Sequence, residues 1–536
     1  MTATSFVAWF TAAAILIAGL VVLRVYIDFP RLPSYVPGPP SPSWIAGHAV
    51  DLWTNQEQAG DLEFAWFKKY GATLKLKGTF GEDILMISDA KALQYILHTC
   101  TYKFEKSEGI IITILASTGR GILGVDGTTH QRHRKVLSPA FSETQLRSYA
   151  PLFRRVGKTL TKQMRNAIDT PGKTLNMHAW FGRASLDVVG EAGFAFRFNS
   201  LEDEECEMAE ILNHFADGAA TMSKALRVGL WVLEKIPALQ VLIDYSPAHL
   251  HRRLLQFKSL ARRLAKRIVD EAMIGGSVDD QGKDMLSILV RANQSGDMKK
   301  KLTEDEVLSQ AATILAAGQE TTSSTLTWLF YELAQHQDVQ ATVRREIAAV
   351  RARVGPESPF TTQDYDGMEM LNAVIKETLR FHPILSVVSR QACVDEVIPL
   401  GEPIVTADGQ RIDHIPVKKG QLIECAAHGY NRNPAVWGPD ANFWCPERWS
   451  KKLEHQLAVG LHGNIMTFSG GVRGCIGWRF AVMSMQSLAA QMLESFQFAT
   501  SEDTKLVRRR PGLLITPRLE GRFHEGIQMP LSVTRL

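Results

Sequence analysis

The chain holds no CxxC pair. Its six cysteines, at 100, 206, 393, 425, 445 and 475, are scattered through 536 residues. Neither a zinc site nor a disulfide framework is indicated, and a reducing compartment is expected. Long Lys/Arg runs are missing too. A net charge of +4 without such a run gives no reason to expect nucleic acid as a partner. No Rossmann or flavin motif is read, which leaves the chain without a nicotinamide or flavin module of its own. No internal repeat or low-complexity segment stands out. The composition, 45% hydrophobic, is ample for one large core.

Charge is absent from one further stretch. Phe6 to Leu23, FVAWFTAAAILIAGLVVL, has none, and Arg24 and Arg31 follow it. About 20 helical residues span a hydrocarbon core, so residues 1–28 read as a single N-terminal transmembrane anchor. A cleaved signal peptide would start with basic residues, and MTATS has none. The positive charges after the apolar run put the bulk of the chain in the cytosol. Residues 29–47 read as a hinge. Six prolines, at 30, 33, 37, 39, 40 and 42, forbid a helix and favour a stiff linker that holds the rest at a fixed orientation off the membrane.

Residues 48–536 read as one large, mainly α domain with a minor β component. Residues 71–88 alternate as a hairpin does. Helical patterns run from about Ser142 to Leu379, and the nearly uncharged stretch 308–336 is expected to be a buried central helix. Strand-like pieces return near Val397–Val405 and Gln421–Ala427. The apolar segment 226–245, with a basic amphipathic helix after it, has two readings: core with a solvated face, or a second membrane contact beside a substrate entrance.

Four short stretches carry chemistry. In AAGQETTS (316–323) an acid sits beside an alcohol on the central helix. Small residues allow close approach, and Gly318 allows a local bulge that would turn the Thr321 hydroxyl away from the preceding turn. Glu320 exchanging protons with solvent and Thr321 positioning them would make a proton relay; the competing reading is a Thr-rich helix end with a solvated Glu. In IKETLRFHP (375–383), Glu377 and Arg380 share a helix face, and FWCPERW (443–449) offers Arg448 as a third member; for this motif alone a surface ion pair is the simpler reading. GTTHQRHRKVLSPAF (127–141) is either a solvated basic face or an anion site, with Arg134 a natural carboxylate clamp. Finally, FSGGVRGCIG (468–477) fences Cys475 with glycines. No histidine base is at hand for a nucleophile. One cysteine is too few for zinc or an iron–sulfur cluster, but one thiolate suffices when a porphyrin supplies the other ligands. Glycines let the backbone wrap the sulfur, the following helix points its positive end at it, and Arg473 can pair with a propionate.

At this point the chain resembles the cytochrome P-450 haem-thiolate monooxygenases, from about Pro37 to the end. FSGGVRGCIG is similar to their haem loop, AGQETT to their oxygen-activating segment, ETLR to their Glu-x-x-Arg motif, FWCPERW to the segment completing that triad, and PGPP to the hinge of the microsomal, here fungal-looking, branch. The resemblance implies the P-450 fold preceded by the anchor, haem b, and Cys475 as axial ligand of the iron, with Phe468 packed near the sulfur. It implies that Thr321 and Glu320 deliver protons, that Arg473, Arg134 and Arg390 hold propionates, and that Glu377, Arg380 and Arg448 form a structural triad. His130 stands where many members have Trp; a donor to a propionate is still expected there.

The expected activity is hydroxylation or other oxidation of a lipophilic small molecule with O2 and NADPH electrons, delivered by a separate NADPH-cytochrome reductase, with cytochrome b5 a further candidate donor. The reductase is expected to dock near Arg132, Lys135 and Arg479. The expected location is the endoplasmic reticulum membrane, single-pass, with the catalytic domain in the cytosol. Aliphatic lining from 108–123, 312–317 and 384–388 suits a terpenoid or other secondary metabolite. A fatty acid is the alternative, with Arg120 as its carboxylate partner. A haem isomerase or dehydratase, and a non-enzymatic haem-binding membrane protein, are the readings from other classes.

Overall fold

The computed structural model of the protein describes residues 29–203, 205–213, 249–274, 284–295, 301–406, 408–450, 457–512 and 514–536. The expected anchor and the segment 226–245 lie outside these residues. Among the described residues no helix is long and apolar enough to cross a membrane.

The helices that hold the site are α1 (Glu108–Ser117), α2 (Gly127–Leu137), α3 (Ala150–Ala167), α4 (Met177–Phe194), α5 (His249–Ile274), α6 (Glu304–Gln335), α7 (Gln337–Val354), α8 (Glu369–Phe381) and α9 (Trp478–Ser495). α6 is the central helix expected from its lack of charge, but it begins earlier than 308. Thr303 accepts from the Glu306 N–H at 3.2 Å and Glu306 accepts from the Thr303 N–H at 2.9 Å. This capping box, with three acids in the first turn, starts the helix while its residues are still polar. α3 buries Leu152, Phe153, Val156, Leu160 and Met164 along one stripe, and that stripe packs on α9. Each such side chain contributes about 1.5–3 kcal/mol when fully buried. α8 stops at Phe381 with His382 as its cap, because the residue before Pro383 avoids the helical region.

The main sheet contains β1 (Thr73–Lys77), β2 (Asp83–Ile87), β3 (Phe104–Glu105), β4 (Val387–Ala392) and β5 (Leu422–Ala426), in the spatial order β1-β2-β5-β4-β3. β1 and β2 form the expected hairpin, with Thr73 opposite Ile87 and Lys77 opposite Asp83. β2 and β5 are parallel and the other pairs antiparallel. Smaller sheets pair 396–405 with 411–417, and 530–535 with 173–176 and 496–500.

The proline-rich hinge is docked, not spanning free space. Lys75 N–H donates to Pro37 O at 2.7 Å and Leu32 N–H to Asp83 Oδ2 at 3.0 Å. His48 accepts from Lys77 N–H through Nδ1 (3.0 Å) and reaches Pro40 O through Nε2 (3.2 Å). Phe29, Leu32 and Val36 are buried. Its orientation is therefore fixed by β1 and β2 as well as by the stiffness of its prolines.

Candidate active site

Cys475 ends a short loop running into α9. Its N–H donates to Phe468 O at 2.9 Å, and the Gly477 N–H donates to its sulfur. The thiol is exposed by surface area, yet desolvation by surrounding protein pushes its pKa up. Both hold at once for a group that lines an internal void. The Phe468 ring is half-buried at the mouth of the loop, with Trp478 and His462 at ring distances of 6.5 and 6.3 Å. The glycines face the other way from the expectation. A Cβ on Gly471, at φ +64°, would stand 1.8 Å from Leu97 O, and one on Gly470 would stand 2.0 Å from Val459 O. They allow the loop to lie against the backbone behind it, so the sulfur keeps its place.

The triad forms in full. Arg380 donates to Glu377 Oε2 and Oε1 at 2.9 and 2.7 Å, and to the carbonyls of Asn431, Ala441 and Phe443 at 2.7, 2.7 and 2.8 Å. Arg448 donates to Glu377 Oε1 at 3.1 Å, Trp449 Nε1 to Oε2 at 3.0 Å, and the Cys445 N–H to Oε1 at 2.8 Å. Glu377 and Arg380 are wholly buried, so the surface-pair reading is excluded. The network reaches the cysteine loop through Asn431, whose Oδ1 accepts the Met466 N–H at 2.8 Å and whose Nδ2 donates to Thr467 at 3.0 Å.

On the other side of the loop the expected propionate residues converge. Arg134 Nη1 donates to Gly474 O at 2.6 Å. Arg473, its side chain 1% exposed, donates to Thr101 O and Phe104 O at 3.1 and 2.5 Å and stacks on Tyr102 at 4.8 Å. Its Nη2 lies 2.7 Å from Asp126 Oδ1 in an ion pair too bent for a hydrogen bond. Arg390 is buried on β4. His130 is buried, bonded to the Tyr102 hydroxyl at 3.2 Å. Desolvation, then Lys106, Arg473 and Arg134, press its pKa down to about 3. It is therefore neutral, with one ring nitrogen, Nδ1, paired with the Tyr102 hydroxyl.

Lys106 and Asp126 belong to this cluster and were not expected from the sequence. Lys106 donates to Val125 O at 2.8 Å and lies 3.5 Å from Asp126 Oδ1. Desolvation depresses its pKa to about 8, with Arg473 and Arg390 adding to the fall. Only the spacing of Tyr102, Phe104 and Lys106, alternate residues about a short strand, could have marked it. Lys106 and Arg473 thus share Asp126, Arg390 feels both Asp126 and Glu424, Arg134 stands beside the Cys475 sulfur, and Arg390 Nε and Arg473 Nε and Nη2 make no hydrogen bond. Such a buried excess of positive charge is costly until an anionic ligand offsets it. A porphyrin with two propionates and an iron that takes one thiolate fits both the charge and the sulfur.

α6 leaves its small residues accessible midway along its length. Ala317 is exposed and Ala316, Gly318 and Thr321 half-exposed in the middle of a helix otherwise mostly buried. The helix is unbroken here, and the expected bulge is absent. Thr321 keeps its bond to the preceding turn, Oγ1 donating to Ala317 O at 2.6 Å. Gly318 serves α4 instead, since a Cβ would stand 2.8 Å from Val189 Cγ2. Glu320 is 2% exposed, packed beside Thr321 and away from bulk solvent. The loop between α1 and α2 carries Gly119-x-Gly121-x-x-Gly124, the glycine spacing of a dinucleotide fingerprint, against the expectation that the chain has none. It follows a helix, not a strand, and a Cβ on Gly121 would meet Thr313 Oγ1 at 2.1 Å, so these glycines seat the loop on α6. Among the expected docking residues, Lys135 and Arg479 are exposed. Arg132 is committed to Glu306 at 2.5 Å.

Comparison with known proteins agrees with this geometry. The family described as Cytochrome P-450 matches residues 37–522. Cytochrome P-450 monooxygenase 91 of Postia placenta is 33% identical over 497 residues, 90% of each chain. A ganoderic acid synthetase of Ganoderma lucidum is 30% identical over 493 residues, 87% of this chain and 88% of that protein. The cytochrome P-450 monooxygenase claU of Ampulloclitocybe clavipes is 30% identical over 517 residues, 93% and 92% respectively.

Proposed function

The chain belongs to the cytochrome P-450 monooxygenases, and we propose that it works as a membrane-anchored, reductase-fed member that oxidises a lipophilic secondary metabolite. The observation that carries the haem assignment is a desolvated yet accessible thiol beside four converging cations, Lys106, Arg134, Arg390 and Arg473, three of whose nitrogen atoms make no hydrogen bond. Bound there, haem supplies the iron that activates dioxygen, one oxygen atom going to substrate and one to water.

Cys475 provides the thiolate, steadied by the Gly477 N–H and by the N-terminus of α9. Arg134, Arg390, Arg473, Lys106 and His130 hold the propionates. Thr321, on an exposed turn of α6, would give up its bond to Ala317 O to hand a proton on from Oγ1, with Glu320, its buried neighbour, as the source. Phe468 shields the sulfur. The triad keeps the 443–449 and 466–468 segments in register behind it.

Anchoring through residues 1–28, hinging at 29–47 and catalysis by 48–536 are supported by the apolar run and by the docking of the hinge on β1 and β2. Trp44 and Ile45, 58% and 53% exposed near the end of that hinge, suit a bilayer surface. The endoplasmic reticulum, with the domain in the cytosol, follows from the same signals. NADPH-cytochrome reductase, with cytochrome b5 as a second donor, is proposed to dock on the cysteine side. There Lys135 and Arg479 are exposed and a cleft of about 890 Å³ opens beside Trp478. A relative named for ganoderic acid synthesis supports a biosynthetic substrate, with a terpenoid preferred. Arg120, exposed in the α1–α2 loop, is the partner a fatty acid would use.

The deciding experiment is turnover by the reductase-reconstituted enzyme and its Thr321→Ala variant. We expect NADPH use to continue in the variant while peroxide replaces product. Equal product yield in both would favour an isomerase, and no NADPH use above background in the wild type would favour a haem-binding protein.

A further inference from the structure

A buried chain of hydrogen bonds runs from the α1–α2 loop through α6 to α2. The Ile122 N–H donates to Gln310 Oε1 at 2.9 Å, and Gln310 Nε2 donates to His133 Nδ1 at 2.7 Å. His133 Nε2 then meets Glu306 Oε1 at 3.1 Å. Gln310 and His133 are both completely buried. The direction of the chain is forced. A backbone N–H can only donate, so the Gln310 carbonyl faces Ile122 and its amino group faces His133. Nδ1 of His133 must then accept, which puts its one proton on Nε2 toward Glu306. A proton on Nδ1 would set two donors against each other.

Glu306 ends the chain as a firm acceptor. It also takes Arg132 Nη2 at 2.5 Å, Arg132 Nη1 at 3.1 Å and the Thr303 N–H at 2.9 Å. Each of the linking atoms named here has its partner, although three separate elements meet there. A helix and a loop packed on α6 need only apolar contact to stay together. A satisfied polar chain adds one relative position, since a shift of any member strands a buried polar group.

The elements so fixed are those that matter. α2 carries His130 one turn before His133, and Arg134 beside it. The loop seated by Gln310 leads from Gly119 and Gly121, which press on Ser309 and Thr313, to Asp126, the carboxylate of the cradle. We propose that His133 and Gln310 are positioning residues: together they set α2 and the 118–126 loop against α6, and so hold the cradle open to the width of its ligand. They touch neither ligand nor sulfur and act through Arg134, His130 and Asp126. The inference rests on the haem reading of that cradle.

The test uses the full-length holoprotein and the rate at which it loses haem to excess apomyoglobin. The carbon monoxide spectrum of the reduced wild type is read first. Without a Cys475-dependent thiolate signature the haem reading itself fails. Given that signature, Gln310→Leu and His133→Leu should each speed haem loss by about ten-fold, and the double variant should be no faster than either single. His133→Gln keeps one acceptor and one donor in neutral form, and should stay within about two-fold of wild type. Additive losses, or a His133→Gln variant as fast as His133→Leu, would overturn the proposal. So would a fall in thermal midpoint with haem loss unchanged, since that is what a merely structural contact would give.

Discussion

The triad and the cradle are both buried clusters of arginines and carboxylates, one on each side of the cysteine loop, and they are built on opposite plans. In the triad both Glu377 oxygens are used, by Arg380, Arg448, Trp449 and the Cys445 N–H, and the remaining guanidinium hydrogens find carbonyls. In the cradle Lys106, Arg390 and Arg473 gather on Asp126 with Arg134 close by, and three guanidinium nitrogens have no hydrogen bond. A closed charge network fixes backbone. An open one, costly until an anion arrives, marks a binding site.

Substitutions should separate the two plans. The largest effect is expected from Glu377→Gln, which leaves the wholly buried Arg380 without a carboxylate and Arg448 with Asp440 alone, and costs about 3–5 kcal/mol. Soluble yield and thermal midpoint should fall whether haem is present or not. Arg390→Met should do the reverse in the haem-free protein, raising or preserving the thermal midpoint, while haem loss to apomyoglobin speeds by about ten-fold. Equal destabilisation by both variants would erase the distinction.

The next effect in size is a pH dependence. His130 has a folded pKa of about 3 against an ordinary 6.5. The unfolded chain therefore binds the proton first, and stability is lost as pH falls from 6.5 toward 3. Glu306 works in a lower window. Desolvation raises its pKa, but hydrogen bonds from Arg132, the Thr303 backbone and His133 outweigh it and hold the pKa at about 2 against 4.5. Its contribution is complete above 4.5 and fades as pH falls from there toward 2. In urea melts across this range, His130→Gln should make the upper part shallower, with His428 and His462, each depressed to about 4, supplying the slope that stays; an unchanged profile would contradict the assignment. The smallest effect concerns docking. Lys135→Glu and Arg479→Glu should slow reduction by the flavoprotein by a few-fold at low salt and converge on wild type at high salt. Arg132→Leu should show instead as lost stability, because that charge is spent on Glu306.

Much of this was legible where the signal is local. The hairpin, the central helix, the stop before Pro383 and the Cys475 loop all follow from residues within a few positions of one another. The PGPP hinge was read as a spacer because nothing in its composition says that Pro37 O meets Lys75. Arg132 looked like a docking residue because Glu306, its partner, is 174 positions away. Lys106 and Asp126 are single charges at loop ends, and only the fold shows that they face the same space as Arg473. The bulge expected at Gly318 fails for a related reason. A small residue on a helix announces a close neighbour but not its direction, and here the neighbour is Val189 on α4.

The most direct test of the account is the carbon monoxide difference spectrum of the dithionite-reduced protein, wild type beside Cys475→Ala. A long-wavelength Soret band of the thiolate type is predicted in the wild type and its loss in the variant. Its absence from the wild type, or its survival in Cys475→Ala, would contradict the assignment of Cys475 and with it the reading of the cradle as a haem site.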